Sequence, residues 1–228
     1  ETLSKQIGFR AIEVRGNQLY VNGMEVKLRG VNRHSIHPLT GRAETPELQV
    51  QDAQLFSEAN VNFIRTSHYP PREDFLLACD RAGIYVEDEI AVAFVYQAIQ
   101  PTQNDPDFTA YYVNQFAEMI ERDRSHPCVL MWSLCNESYW GRNFQAEYDH
   151  ARAVDSTRPL IFSYPITMPE GTRAYDIWSL HYGEVEYDPA QQTDNHSFGD
   201  TYVRDAPVLH DEYIHIPCYD VPELKRDP

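Results

Sequence analysis

The chain has 228 residues, 42% of them hydrophobic and 24% charged, which is enough ordinary globular sequence for one sizeable core. Its formal net charge of −16 excludes nucleic-acid binding through phosphate neutralisation and attraction to anionic membrane surfaces. No apolar run of about 18 residues is present to span a bilayer. The aromatic content of 12% suits stacking on sugar faces, although tyrosine-rich surfaces also occur without ligands. Cys79, Cys128, Cys135 and Cys218 show no metal-type spacing and read as reduced and mostly packed, which leaves the compartment open. The start Glu-Thr-Leu-Ser-Lys has no initiator Met, basic region or apolar leader, so a piece of a longer protein is expected.

The first elements are extended. Residues 11–14 and 18–21, then 26–28, read as a small hairpin unit with turns at Arg15-Gly-Asn17 and Asn22-Gly23. Residues 27–31 read as the first strand of a larger sheet. Thr45-Pro-Glu-Leu opens a helix to about Asn60, with an N-cap residue and Pro at the first position. Strand two is 61–66, helix two 71–82 with Gly83 as its C-cap, and strand three 84–88. Helix three is 107–125, stopped by His126-Pro127. Residues 128–134 form strand four, a run without alternation that should be buried on both faces. Helix four is 144–154, and strands five to seven are 160–163, 177–180 and 208–210.

Strands alternating with helices predict a parallel α/β fold. No glycine-rich nucleotide motif appears. Polar residues follow nearly every strand: Asn32, Arg33 and His34, then His68, then Asp88 and Glu89. Asn136 and Glu137 follow strand four, His181 and Tyr182 strand six, and Asp211 and Glu212 strand seven. Side chains converging from many strand ends predict a (β/α)8 TIM barrel with its site on the C-terminal face. The eighth strand is expected after residues 222–227, so the barrel reads as incomplete at its C-terminus.

Glu137 and Glu212 should face each other across that mouth. Two carboxyl groups about 5 Å apart are the equipment of retaining glycoside hydrolysis, one protonated and one ionised. Asn136 can hydrogen-bond a sugar hydroxyl. On spacing alone, Glu212 is equally a solvated loop residue or an ion-pair partner, and a lone Asn-Glu is an ordinary strand end. His34 and His37 could suggest a metal, but no third ligand follows at sensible spacing. Trp132 reads as core and Trp140, just past Glu137, as the better stacking candidate. Arg65 on an inward strand position needs a carboxylate partner. Glu89 reads as a supporting hydrogen-bonding residue.

Four segments carry a family resemblance: Leu28-Arg-Gly-Val-Asn-Arg-His34, Asn62-Phe-Ile-Arg-Thr-Ser-His-Tyr-Pro70, Asp80-Arg-Ala-Gly-Ile-Tyr-Val-Glu-Asp-Glu89, and Asp123 through Asn136-Glu137. Together they resemble the catalytic barrel of glycoside hydrolase family 2, the β-galactosidase and β-glucuronidase family. Ser125 departs from the usual Asn, and the match loosens after Asn143, although Pro207-Val-Leu-His-Asp-Glu-Tyr213 is similar to the nucleophile strand. The resemblance implies Glu137 as general acid/base and Glu212 as nucleophile, with strand phase favouring Glu212 over Asp211. It implies His34, His68 and Asn136 as substrate-binding residues and Arg65 as the group that keeps the nucleophile ionised. Tyr182 or His181 takes the place of a tyrosine contacting the nucleophile, and Tyr182 is the better chemical fit.

β-Galactosidases of the family that hold magnesium beside the acid/base take a Glu and a His from the loop after strand three. Here that loop reads Ile90-Ala-Val-Ala-Phe-Val-Tyr96 and offers no ligand, so no metal and no cofactor are expected. The apolar wall also puts galactoside specificity in question. The expectation is a retaining exo-β-glycosidase acting on a terminal β-linked sugar, with a β-galactoside first and a β-glucuronide or another β-glycoside as alternatives. A non-hydrolytic carbohydrate-binding barrel is the rival class and would need a disabled carboxylate pair. Residues 1–8 read as the tail of a preceding β-sandwich domain and 9–228 as the catalytic barrel. The expected partners are a carbohydrate, β-sandwich domains of the same longer chain, and a second copy in a homo-oligomer.

Overall fold

A computed structural model of the chain describes residues 6–95, 102–163, 165–181 and 206–213. A small antiparallel sheet comes first, with strands β1 (Ile12–Arg15), β2 (Gln18–Val21) and β3 (Met24–Glu25). The third strand starts earlier than the expected 26–28. Asn22 (φ 51°) and Gly23 (φ 77°) make a two-residue turn that sets Met24 directly opposite Val21.

The barrel follows as β4 (Gly30–Asn32), α1 (Pro46–Glu58), β5 (Phe63–Arg65), α2 (Glu73–Ala82) and β6 (Tyr85–Glu89). It continues through α3 (Thr109–Asp123), β7 (Val129–Ser133), α4 (Arg142–Val154), β8 (Leu160–Phe162), β9 (Ile177–His181) and β10 (Val208–Glu212). Gly83 ends α2 in the left-handed conformation, as its C-cap position requires. Among the described residues, seven strands form one parallel sheet in the order β10-β9-β8-β7-β6-β5-β4. The sheet curls until residues of β10 and β4 come within 8 Å, Cα to Cα. This is a nearly closed TIM barrel.

Strand alternation divides the core in two. Ile64, Val86, Val129 and Trp132 point outward and pack against α2, α3 and α4 with Phe75, Phe116 and Phe144. Phe63, Met131, Ile161 and Ile177 point inward, and Leu19 and Val21 of the hairpin pack against them. The inward layer fills one end of the lumen, leaving the strand C-termini for polar side chains. All five residues of β7 are buried, as an uninterrupted apolar run requires. Trp132 is core, with its Nε1–H donating to Asp155 at 3.0 Å.

Cys79, Cys128 and Cys135 are buried free thiols whose pKa values burial pushes up. Cys218, residues 1–5 of the expected tail and residues 222–227 lie outside the described residues.

Candidate active site

The site is built on Arg65, the last residue of β5, which is 1% exposed. Its Nε donates to Glu89 Oε2 at 2.8 Å, one terminal nitrogen to Glu212 Oε1 at 2.6 Å, and the other to Asn136 Oδ1 at 2.9 Å. A planar guanidinium can satisfy three acceptors from three strand ends at once. His68 completes the ring: Nδ1 donates to Glu89 Oε1 at 2.7 Å, which turns Nε2 toward Glu212 Oε1 at 3.6 Å. Ser133 donates to Glu89 Oε2 at 2.7 Å. Glu89 is therefore a fully buried supporting carboxylate. Burial opposes its charge, but Arg65 and His68 outweigh that and hold its pKa below the ordinary range.

Glu89 and Asp88 lie within β6 rather than after it. Alternation sends Glu87 and Glu89 inward and Asp88 toward α3. Glu87 was not anticipated as part of the site. Its Oε1 lies 3.4 Å from Arg65 Nε, and burial, with the charge of Asp211 added, pushes its pKa well up. Period-2 spacing from Glu89 is the sequence signal that would have found it.

Glu137 does not end β7. The strand stops at Ser133, and Glu137 sits four residues on in a loop, with φ 36°. Leu134 and Cys135 continue the extended path, with Leu134 N–H donating to Ile161 O, before Asn136 N–H donates to Val92 O at 2.8 Å. Ser163 Oγ accepts from Glu137 N–H at 2.7 Å. This path carries Glu137 to Glu212: Glu137, His181 and Glu212 each place a ligand-type atom within 4.8 Å of the others.

His181 ends β9 between two acids, with Nδ1 3.3 Å from Glu137 Oε1 and Nε2 3.2 Å from Asp211 Oδ2. Its Nδ1 is also 3.9 Å from Glu212 Oε2. Burial lowers its pKa, but Asp211 and Glu137 raise it to about 10. Burial likewise opposes charge on Asp211, yet His181 holds that carboxyl below the ordinary range. Asp211 is further bound by Ser179 Oγ at 2.8 Å and Leu180 N–H at 3.1 Å. Because the His181 pKa rises on folding, its pairing stabilises fully below about pH 6.5 and fades as pH climbs toward about 10. Unfolding free energy from urea titration should fall across that window, and fall less in His181→Gln. Equal slopes in the two proteins would contradict the pairing.

His34 joins the group by stacking edge-on against His68 at 5.2 Å between centroids. Arg33 instead pairs with Glu44 and Asp52 and lies 4.2 Å over the Phe75 ring. His37 folds into its own turn, where Leu39 N–H donates to Nδ1. Trp140 is not brought into the group. It packs against the outer core and lines a separate pocket with Pro106 and Arg142. Tyr182 lies outside the described residues; His181, which is described, neighbours both Glu137 and Glu212.

The described part of the loop after β6, residues 90–95, brings no carboxylate or imidazole to Glu137. Ile90 and Val92 are buried apolar side chains, and Phe94 contributes a backbone N–H to Asn136 O.

Comparison with known proteins agrees with this fold. The family model described as glycosyl hydrolases family 2, TIM barrel domain, matches residues 12–218. β-Galactosidases of Pectobacterium atrosepticum and Yersinia enterocolitica are each 36% identical over 193 residues, covering 82% of this chain and 18% of the relative. The chain thus spans about a fifth of the length of these relatives. The Ruminococcus gnavus β-glucuronidase crystal structure superposes with a TM-score of 0.70 at 26% identity, covering 78% of this chain and 33% of that one. The Parabacteroides merdae β-glucuronidase gives 0.67 at 25%, covering 78% and 24%.

Proposed function

We propose that this chain, which belongs to glycosyl hydrolase family 2 and forms its TIM-barrel domain, carries the active site of a retaining β-glycosidase. The observation that carries this reading is the facing pair: Glu137 and Glu212 offer carboxylate oxygens within 4.8 Å of each other. Retaining enzymes hold their two carboxyl groups about 5–5.5 Å apart, whereas inverting ones leave room for a water.

Glu212 is the nucleophile. Arg65 and His68 fix its Oε1, which aims the carboxylate at the anomeric carbon. Neighbouring Asp211 is engaged by Ser179, Leu180 and His181, which supports Glu212 over Asp211 for this role. Glu137 gives its proton to the glycosidic oxygen as the bond to the anomeric carbon breaks and Glu212 forms a covalent glycosyl ester. Glu137 then takes a proton from water, which attacks the same carbon and releases Glu212. Asn136 accepts from Arg65 through Oδ1, leaving Nδ2 as a donor for a sugar hydroxyl. His34 and His68 line the same cavity as the two carboxyl groups, within reach of a sugar bound between them.

The favoured substrate is a terminal β-galactoside, supported by β-galactosidases at 36% identity. A β-glucuronide is the second reading, supported by the solved β-glucuronidases. A non-hydrolytic carbohydrate-binding barrel would need the pair disabled, whereas both carboxylates are in place and supported. Nitrophenyl β-galactoside, glucuronide, glucoside and mannoside tested against the full-length protein separate these readings. The β-galactoside should be cleaved fastest. Preference for the glucuronide would transfer the assignment to the second reading, and no cleavage of any would favour the binding barrel.

A further inference from the structure

Two non-glycine residues of the site region hold a left-handed backbone, Phe94 at φ 60° and Glu137 at φ 36°. That conformation disfavours a residue with a bulky side chain and persists where neighbours hold it. Here two loops are zipped together. Phe94 N–H donates to Asn136 O at 3.2 Å, Val95 N–H to Ser138 Oγ at 3.1 Å, and Tyr139 N–H to Val95 O at 3.3 Å. Ala93 forms a parallel bridge with Asn136. The position of Phe94 is thereby locked to that of Glu137.

The preceding apolar residues of this loop, Ile90 and Val92, are 1% and 8% exposed, whereas Phe94 is 54% exposed. Phe94 lines the same cavity as Glu137, Glu212 and His34. A large apolar side chain left half exposed beside the two carboxyl groups, and held by an unfavourable backbone, has apolar area left for a ligand. The ligand's identity follows from the glycosidase reading, on which this inference rests. Glu137 must reach the glycosidic oxygen, and that oxygen bonds the departing group on the side away from the sugar. A residue locked to the Glu137 loop therefore meets the leaving group.

We propose that Phe94 is a specificity-determining residue whose ring forms the leaving-group platform and selects a flat, apolar aglycone. Aromatic stacking in a partly exposed site supports about a tenfold preference. The test compares full-length wild type with Phe94→Asn, since Asn tolerates a left-handed backbone. Phenyl and methyl glycosides of the same sugar are the substrates. The ratio of kcat/KM for phenyl over methyl should fall about tenfold in Phe94→Asn and stay near the wild-type value in Phe94→Tyr. An unchanged ratio in Phe94→Asn, whatever the overall rate, would show that the ring only supports the loop and would overturn the proposal. So would a larger loss on a disaccharide than on the phenyl glycoside, which would make it a sugar platform. Wild type that cleaves no glycoside would refute the glycosidase reading itself, a result visible without any variant.

Discussion

Glu212→Ala should lose on the order of 10⁴–10⁶-fold in kcat on an aryl β-glycoside, because on the proposed mechanism its carboxylate forms the glycosyl ester. Asp211 cannot substitute: Ser179, Leu180 and His181 already hold its carboxylate. The truncation leaves space where the carboxylate stood, so added azide should restore turnover by attacking the anomeric carbon from that side. The product would then be the glycosyl azide of inverted configuration, since only one displacement has occurred. Removal of Glu212 also takes a partner from buried Arg65, so Glu212→Gln serves as a control that keeps the shape. It should fold and be inactive without responding to azide. Turnover by Glu212→Ala at the wild-type rate would sink the assignment.

The second large effect is structural. Arg65 binds Glu89, Glu212 and Asn136 and lies 3.4 Å from Glu87, all within the barrel. Removing the cation leaves several carboxyl groups buried with one fewer counter-charge. Breaking a buried pair from one side costs about 3–5 kcal/mol, mostly from the charge left behind. Arg65→Leu should therefore unfold at markedly lower urea than wild type. Arg65→Lys keeps a charge but not the fork, and one ammonium cannot span the same acceptors in the same geometry. It should retain more stability than Arg65→Leu and still lose most activity, because Glu212 is no longer aimed. Wild-type stability in Arg65→Leu would show that the network does not hold the barrel mouth together.

Much of this was legible in the sequence, for physical reasons. Strands buried on both faces must be continuous apolar runs, so residues 128–134 could be read as a strand without a structure, one residue longer at each end than β7. An arginine on an inward strand position must find carboxylates, and Arg65 does. What escaped depends on contacts between distant loops. Nothing local shows that Asn136 will pair with Val92 and Ala93, yet that pairing lifts Glu137 off the strand and toward Glu212. Trp140 is only three residues past Glu137, but the chain turns there and carries the ring to the helix side. Tyr182, the preferred strand-six residue of the sequence reading, lies outside the described residues. Long-range neighbours, Glu137 and Asp211, place His181 in the site.

The pairing of Glu137 with Glu212 is tested most directly by trapping the intermediate. A 2-deoxy-2-fluoro glycoside with a good leaving group slows release of the covalent ester, and the labelled peptide can be sequenced by mass spectrometry. The label should sit on Glu212, and Glu137→Gln should be labelled at the same residue only when the leaving group needs no proton. A label on Glu137 or Asp211, or turnover with no label while the product inverts, would contradict the account.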